Sequence, residues 1–375
     1  MTVPLSILDL SPISEGGDAA AALHNTIDLA QHAEQWGFKR YWIAEHHFVA
    51  VASSSPAVLI GQIAAATERI HVGAGAVQLG HTTAPSVVES FAMLDAFYPG
   101  RIDLGVGRSG QRRREAAKKP AANAEPKPKR ELPTEWRDVG GVVVPPPFDI
   151  RTIITDQLRA QMSVLQQPEA VSPDFADQID DILAMLHGRY RVNDYDLHAV
   201  PGERTSLTPW VFGSSKGQSA QVAGANGLPF VASYHITPAT ALDAVDAYRA
   251  AFIPSAALSE PYVVVSADVV VADDTETAKH LASTYGHWVY SVRKGGGAAP
   301  YPDPDTSEPL TEDQLAVVKD RTATQFVGDA DTVAEKLETL RRVTDADELV
   351  VTSVAHRHSD RLRSHELIAK RWGIG

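Results

Sequence analysis

The sequence predicts an α/β fold of the (β/α)8 or TIM-barrel type, in a single domain over residues 1–375, on three observations. Apolar runs of strand length alternate with segments of helical spacing about eight times, which is the pattern of parallel strands joined by crossover helices. The runs are almost continuously apolar, as expected when both faces of a sheet are covered. Polar residues and glycines follow several runs directly, and barrel enzymes build their active sites at such strand ends. Eight repeats favour a closed barrel over an open doubly wound sheet.

The predicted strands are short apolar runs bounded by turn residues and helix ends. In order they are Val3–Asp9, Arg40–Glu45, Ile70–Leu79, Ile102–Val106, Pro209–Gly213, Pro229–Tyr234, Tyr262–Ala272 and Glu348–Ser353.

The predicted helices have apolar residues three and four positions apart, with prolines at three starts and glycines after three ends. They are Ala19–Trp36, Pro56–Thr67, Pro85–Phe97, Gln218–Asn226, Pro238–Phe252, Thr275–Val292 and Asp360–Trp372. A further helical segment, Asp156–Leu186, is predicted as two helices broken near Pro168 and Pro173.

Two insertions interrupt the alternation, after the fourth and the seventh predicted strands. Gln111–Pro147 is basic in its first part and rich in proline after that, so it is not expected to bury a core of its own. It directly follows a strand end with candidate site residues, and it is either a lid over that site or a solvated loop. The second insertion, Lys294–Pro309, is rich in glycine and proline and is predicted as a loop.

Composition limits the classes of function. The chain has no cysteine, which excludes disulfides, thiolate metal sites and cysteine nucleophiles and agrees with a reducing, cytoplasmic location. Neither a signal peptide nor a membrane span is expected, because the N-terminal residues lack a basic region and no apolar run is long enough. The formal net charge of −13 argues against general nucleic-acid binding. The basic run 112–119 is better explained as part of a solvated lid.

The densest polar cluster at a strand end is Glu45-His46-His47. Histidine can move a proton near neutral pH, so the cluster is either an acid–base site or a hydrogen-bonded group that shapes a loop. A metal site is not expected, because three or four ligands must converge and neighbours in a strand point to opposite faces.

Two further strand ends suggest a site for a phosphorylated cofactor. Arg108 follows the fourth strand, and arginine can bind phosphate with two parallel hydrogen bonds. The turn 213–217, Gly-Ser-Ser-Lys-Gly, precedes a helix, whose first N–H groups attract anions. Either serine could instead be a simple helix cap. The small residues Gly73–Ala76 allow a flat ring to approach the backbone, or serve only tight barrel packing.

Four segments taken together resemble the bacterial-luciferase-like flavin-dependent monooxygenases. They are WIAEHHF, ATERIHVGAGAVQL, PGRIDLGVGRSG and PWVFGSSKGQSAQVAGANGLPFVASY, and the ending from VGDADTVAEKL onward is similar as well. The resemblance covers most of the chain outside the insertions. It is closer to a single-component actinobacterial branch that includes antibiotic-pathway tailoring enzymes than to the light-emitting subunits.

The resemblance implies a cofactor and a set of site residues. The family uses reduced FMN from a separate NAD(P)H-dependent flavin reductase, or F420 in one branch. In FMN members O2 adds at flavin C4a to give a (hydro)peroxide that oxidises an aldehyde, ketone or aromatic substrate. By position, His46 is catalytic with Glu45 and His47 beside it. The cofactor-binding positions are Gly75 and Ala76 at a cis peptide under the flavin ring, and Arg108, Ser214, Gly217 and Gln218 around the phosphate.

Two positions depart from the family pattern. Gly107 stands where light-emitting members carry a reactive cysteine, which argues for oxygenation without light. Gly213 replaces the glutamate that precedes the phosphate-binding serine. Substrate-shaping residues are expected in the two insertions and around Tyr234 and His235.

The sequence thus predicts an FMNH2-dependent monooxygenase acting on a small molecule. An F420-dependent oxidoreductase and a catalytically silent flavin-binding protein remain as alternatives. A homodimer is expected, since family members pair through early helices, here Pro56–Thr67 and Pro85–Phe97.

Overall fold

The computed structural model describes residues 3–108, 133–203, 205–294 and 296–374. Their central feature is a closed barrel of parallel strands, confirming the predicted fold class. The barrel strands are β1 (Leu5–Asp9), β2 (Arg40–Ile43), β3 (His71–Ala74), β5 (Ile102–Gly107), β10 (Pro209–Gly213), β11 (Phe230–Ala232), β12 (Val263–Val271) and β14 (Glu348–Thr352). They pair in this order, and β14 pairs with β1 to close the ring.

Most of the helices surround the barrel and pack on its outer face. They are α1 (Ala19–Gln35), α2 (Pro56–Ala66), α3 (Ala84–Phe97), α4 (Asp156–Val164), α5 (Phe175–Leu186), α6 (Gln218–Ala225), α7 (Ala241–Ala251), α8 (Thr275–Ala282), α9 (Tyr285–Lys294), α10 (Glu312–Thr322), α11 (Ala330–Thr344) and α12 (His358–Trp372). A 3-10 helix covers Ile150–Ile153. The apolar side chains between helices and strands form one continuous core.

Two predicted elements are each divided in the structure. The third predicted strand, Ile70–Leu79, is two strands, β3 and β4 (Val77–Gln78), because the peptide bond between Gly75 and Ala76 is cis and redirects the chain. The predicted helix Thr275–Val292 is two helices, α8 and α9, separated by Ser283 and Thr284.

The sequence analysis assigned no element between Leu310 and Asp347, where the structure has α10, β13 (Phe326–Gly328) and α11. Their start signals are present in the sequence. Thr311 and Gln314 form a reciprocal capping box, and the Asp329 side chain accepts a hydrogen bond from the Thr332 backbone at the next helix start.

The described end of the first insertion, which the sequence left as either a lid or a solvated loop, is an ordered hairpin. Strands β6 (Arg137–Val139) and β7 (Val142–Val144) pair antiparallel around Gly140 and Gly141, whose positive φ angles suit a two-residue hairpin turn. Arg342 of α11 donates a 3.0 Å hydrogen bond to the Gly140 carbonyl. The basic first part of the insertion lies outside the described residues. A second small hairpin comprises β8 (Arg191–Val192) and β9 (Tyr195–Asp196).

The segment after β12 covers the carboxyl-terminal mouth of the barrel. Residues 296–309 contain neither helix nor longer strand, as predicted, but they are tightly held. The Tyr301 N–H donates to the Ile13 carbonyl at 2.8 Å, and the Ala50 N–H donates to the Ala298 carbonyl at 2.8 Å. Side chains of α9 and α10 join those of the barrel interior in a second apolar cluster that includes Trp42 and Trp288. We call this covering of α9, residues 296–309 and α10 the roof.

The opposite end of the barrel is filled by a buried ionic network. Arg40 donates to Asp103 at 2.6 Å and to Glu348 at 3.2 Å, and Glu348 also accepts from Ser6 and Tyr262. We call this end of the barrel the floor. The strand-end residues of interest lie at the other end, at the mouth under the roof.

Candidate active site

The end of β2 brings His46 to the mouth of the barrel. Its backbone N–H donates to the Ser53 carbonyl at 2.9 Å, and the Ser53 hydroxyl donates to the Ala44 carbonyl at 2.6 Å. These two bonds fix the turn that carries the histidine. His46 also interacts electrostatically with His235, which follows β11, so residues from opposite parts of the ring of strands meet here.

Glu45 joins two neighbouring strand ends. Its carboxylate accepts a 2.9 Å hydrogen bond from the Gln78 N–H and lies 2.8 Å from Nε2 of His47. The Gln78 side chain returns a 2.7 Å hydrogen bond to the Glu45 carbonyl. Glu45 and His47 therefore engage each other and β4, while His46 alone of the three extends toward the residues after β11.

The cis peptide between Gly75 and Ala76 lies between His46 and Gly107, at the place that the resemblance implies. The register gives this position, because Ile43 pairs with Ala74 and Gln78 pairs with Gly107. A side chain at Gly75 would come within 2.9 Å of Leu8 and 3.1 Å of Trp42. The backbone is thus packed against the barrel interior on one side, and only a small residue fits.

Arg108 and Ser214 follow paired strands. Gly107 of β5 is registered with Phe212 of β10, so Arg108 and the Gly213-Ser214 turn lie side by side at the mouth. Helix α6 begins next to them, and its N-cap residue, Gly217, provides no side-chain cap. Its first N–H groups are therefore not capped by that residue, and anion binding there stays a prediction. The Gln218 side chain donates to Asp174 at 2.5 Å, which leaves its backbone N–H as its contribution here.

The two departures from the family pattern have different steric settings. A β-carbon at Gly107 would meet Ala76 at 3.5 Å, an ordinary contact, so the packing admits a β-carbon at this position. A side chain at Gly213 would come within 2.8 Å of Phe230 and 2.9 Å of Ser219. The packing of this barrel therefore admits only glycine at the second position.

A buried polar cluster on the far side of the mouth was not recognised from the sequence. His235 lies 2.5 Å from the Ser266 hydroxyl, and burial with nearby Arg321 and His46 lowers its pKa to about 3, so it is neutral at physiological pH. Burial raises the pKa of Asp268 to about 6, although the carboxylate accepts a 3.0 Å hydrogen bond from Gln325. An aspartate inside the valine-rich run VVVSADVVV was the available sequence signal.

Arg321 of the roof completes this cluster. It donates a 2.6 Å hydrogen bond to the Tyr285 hydroxyl, which in turn lies within hydrogen-bonding reach of Asp268. Tyr234, in contrast, points away from the mouth, since its hydroxyl donates to the Val143 carbonyl at 2.7 Å. Of the two substrate-shaping candidates after β11, only His235 belongs to the mouth.

Within the described ranges no group of three or more histidine, aspartate or glutamate residues could hold a metal ion. The helices of the same ranges include none that is long and apolar enough to cross a membrane.

The fold and the mouth define a (β/α)8-barrel protein with histidine, arginine and serine residues at the carboxyl ends of its strands, the end at which barrel enzymes build their active sites. The family model of the luciferase-like monooxygenases matches residues 3–126 and 166–346. The chain therefore belongs to the luciferase-like monooxygenases, a family of oxidoreductases.

Similarity to individual proteins extends over nearly the whole chain. Over 98% of its length it is 35% identical to the uncharacterized protein YvbT of Bacillus subtilis and 33% identical to a luciferase-like monooxygenase of Escherichia coli, matching 96% of each. The crystal structure of apo-MsnO8 superposes with a TM-score of 0.77 at 27% identity, covering 100% of this chain and 99% of the other.

Other similarities are partial or concern the fold alone. A stretch of 108 residues, 28% of this chain, is 49% identical to 32% of the N-acetyl-S-alkylcysteine monooxygenase of Bacillus subtilis. The oxygenating constituent of 3,6-diketocamphane monooxygenase of Pseudomonas putida, in complex with FMN, has a TM-score of 0.62 at 18% identity over 99% of this chain and 98% of its own. An F420-dependent secondary alcohol dehydrogenase has a TM-score of 0.59 at 14% identity over 99% of both chains.

Proposed function

We propose that the protein is an FMNH2-dependent monooxygenase that uses O2 to oxidise a small organic substrate. The observation that carries the proposal is the convergence of three features at one mouth: His46, the cis peptide Gly75–Ala76, and Arg108 beside the start of α6. A phosphate site, a flat backbone surface and a proton-transfer group are the three things a reactive flavin needs from its protein.

The residues after β5 and β10 fit an FMN phosphate. Arg108 supplies a guanidinium, Ser214 a hydroxyl, and Gly217 and Gln218 the N–H groups of an uncapped helix start. Gly75 and Ala76 would provide the backbone surface for the flavin ring. Bound FMNH2 would supply the reducing electrons for O2. A separate NAD(P)H-dependent flavin reductase would provide FMNH2, since the chain resembles family members that lack their own reductase.

His46 is the proposed acid–base group. It would hold or move a proton at its imidazole, next to the ring surface and facing His235, which is neutral because its pKa is lowered. Glu45 and His47 would position it by fixing the strand ends on either side. Trp288 and Tyr301 of the roof would keep water from the reacting groups.

The test is incorporation of oxygen from 18O2 into product, with FMNH2 supplied and a panel of aldehydes, ketones, aromatic compounds and thioethers as substrates. We expect one labelled oxygen atom per turnover. His46→Ala should lower turnover by about 100-fold, the range of a lost general acid–base group, while FMN still binds. The absence of label in every product, despite tight FMN binding, would refute oxygenation.

The alternative on this scaffold is an F420-dependent oxidoreductase, supported by the shared fold of the F420-dependent alcohol dehydrogenase. Titration of the protein with FMN and with F420, under one set of conditions, separates the two. A silent flavin-binding protein would bind FMN without turnover, and His46→Ala would then change nothing measurable. The predicted actinobacterial tailoring branch and the cytoplasmic location stay predictions.

We also propose a homodimer formed through α2 and α3. Both helices expose large apolar side chains: Val58 is 68%, Met93 53% and Phe97 73% exposed. Neighbouring apolar side chains on two adjacent helices favour burial against a second copy.

A further inference from the structure

Arg321 differs in its contacts from the buried arginines of the described residues. Those lie directly on carboxylates: Arg40 on Asp103 at 2.6 Å, Arg293 on Asp320 at 2.6 Å and Arg361 on Asp9 at 2.7 Å. Over the described residues, Arg321 has no carboxylate within 4.0 Å, and it donates a 2.6 Å hydrogen bond to the uncharged Tyr285 hydroxyl.

Part of the Arg321 guanidinium has unused hydrogen-bonding capacity. Its Nε is buried and has no hydrogen-bond partner among the described residues. A buried donor left unpaired costs free energy, and a buried cation costs more. Guanidinium presents its N–H groups as a planar fork that matches both oxygens of a carboxylate. The chemistry of the unused edge therefore fits a carboxylate.

The position of Arg321 separates it from the proposed phosphate site. Arg108 and Ser214 follow β5 and β10, whereas Asp268, next to Arg321, belongs to β12, two strands further around the barrel. The His235 ring interacts electrostatically with both Arg321 and His46, so the guanidinium lies near the same histidine that neighbours the proposed acid–base group. A molecule between His46 and the roof would meet Arg321 at its far end.

The Asp268 carboxylate does not bind the Arg321 guanidinium directly. The Tyr285 hydroxyl stands between them, accepting from Arg321 and reaching Asp268, whose Oδ1 is held by Gln325 at 3.0 Å. The tyrosine thus orients the arginine, and the buried Nε is left without a hydrogen-bond partner among the described residues. Arg321 lies on α10, in the roof. The residues proposed to bind the flavin phosphate follow β5 and β10, so the two groups belong to separate elements.

We propose that Arg321 binds the carboxylate of the substrate, and that the substrates of this enzyme are small molecules bearing a carboxylate. The proposal rests on the proposed function for the role of the mouth as the substrate site. Binding of a carboxylate by Arg321 does not depend on that function. N-acetyl-S-alkylcysteines, named in the partially similar Bacillus monooxygenase, carry such a group and are suitable probes.

The test compares acids with their methyl esters by calorimetric titration, in protein without flavin and in protein loaded with oxidised FMN. The pairs are N-acetyl-S-benzylcysteine, 4-phenylbutanoic acid and decanoic acid, each with its ester. For at least one pair we expect the acid to bind about 30-fold more tightly than the ester, the lower range for a buried charge-assisted pair. Equal binding of acid and ester in every pair, or no binding of any acid, overturns the proposal.

Variants on α10 assign the effect to one side chain. Arg321→Gln should abolish the preference for acid, Arg321→Lys should keep part of it, and Lys319→Gln, which removes an exposed charge from the same helix, should leave it intact. FMN affinity is measured separately for each protein. Loss of FMN binding in Arg321→Gln, with acid binding unchanged, would place the guanidinium on the cofactor and refute the proposal. If that variant does not fold, the acid–ester comparison in the natural protein decides. Carboxylate binding without FMN binding would refute the proposed function alone.

Discussion

The Glu45 carboxylate accepts a 2.9 Å hydrogen bond from the backbone N–H of Gln78, which ties the strand end carrying His46 to the short strand that follows the cis peptide. The proposed acid–base group and the proposed ring surface are thereby held at a constant separation. Glu45 does not itself face the far side of the mouth. We therefore expect this hydrogen bond to affect turnover only indirectly.

Glu45→Ala is expected to lower stability by about 1–3 kcal/mol, because the partly buried Gln78 N–H loses its acceptor. We also expect turnover to fall by about tenfold with His46 still present, and Glu45→Gln, which keeps one acceptor oxygen, to recover most of both losses. Urea unfolding and steady-state oxygen consumption measure the two effects. Equal damage from both substitutions would show that the charge of Glu45, and not its acceptor geometry, matters.

His235 is expected to lower the free energy of unfolding at acid pH. Its pKa is near 6.5 in an unfolded chain and about 3 in the fold, because burial and the nearby Arg321 and His46 disfavour its charged form. The unfolded chain therefore binds the proton more readily, and the stability that His235 contributes above pH 6.5 is lost as the pH falls toward 3. The contribution is at most about 5 kcal/mol.

Replacement of His235 by asparagine should shift the midpoint of acid unfolding to lower pH, as followed by circular dichroism. His24→Asn, at an exposed position of α1, serves as the control and should leave the midpoint unchanged. Asp268, whose pKa is raised to about 6, contributes stability that increases as the pH falls from about 6 to 4. This contribution is the same in the natural protein and in both variants. An unchanged midpoint in the His235 variant would contradict the prediction.

Two glycines of β5 provide a matched steric test. A methyl group at Gly105 would lie 1.8 Å from the Ala74 carbonyl oxygen, whereas at Gly107 the nearest atom is 3.5 Å away. We expect Gly105→Ala to cost about 3 kcal/mol or more and Gly107→Ala to change stability by less than about 1 kcal/mol. Urea unfolding measures both, and similar values for the pair would refute the prediction.

The ionic floor of the barrel should contribute to stability without affecting the mouth. Arg40→Met leaves Asp103 and Glu348 buried without their cation, which is expected to cost about 3–5 kcal/mol while FMN affinity is unchanged. Asp273→Ala breaks an exposed pair with Arg363 and should cost no more than about 1 kcal/mol. Thermal unfolding and FMN titration provide the measurements, and a large loss of FMN affinity in Arg40→Met would show coupling between floor and mouth.

The proposed dimer can be tested by one charge on the exposed face of α3. Phe97→Glu should produce a monomer in light scattering coupled to gel filtration, because burying a carboxylate in an apolar interface is unfavourable. Ile253→Glu changes an equally apolar residue, 58% exposed and outside these helices, and should leave the dimer intact. A natural protein that is already monomeric would refute the proposal directly.

Much of the barrel could be predicted from the sequence, because strands covered on both faces must be apolar and short. All eight predicted strands correspond to barrel strands, and the residues proposed for the site follow them directly. The resemblance to the family further implied the position of a cis bond, which the structure has at Gly75–Ala76. The elements between Leu310 and Asp347 were not predicted, although the residues that cap the starts of their two helices can be recognised in the sequence.

What the sequence by itself determined was the order of strands and helices and the residues at each strand end, since both follow from local patterns of apolar residues, glycine and proline. Only the tertiary structure decided that Arg321, Tyr285 and Asp268 lie together under the roof, opposite His46. These residues come from separate elements, and no local pattern encodes their distance. Closure of the barrel and folding back of the roof bring them together, and it is there that the substrate would be recognised.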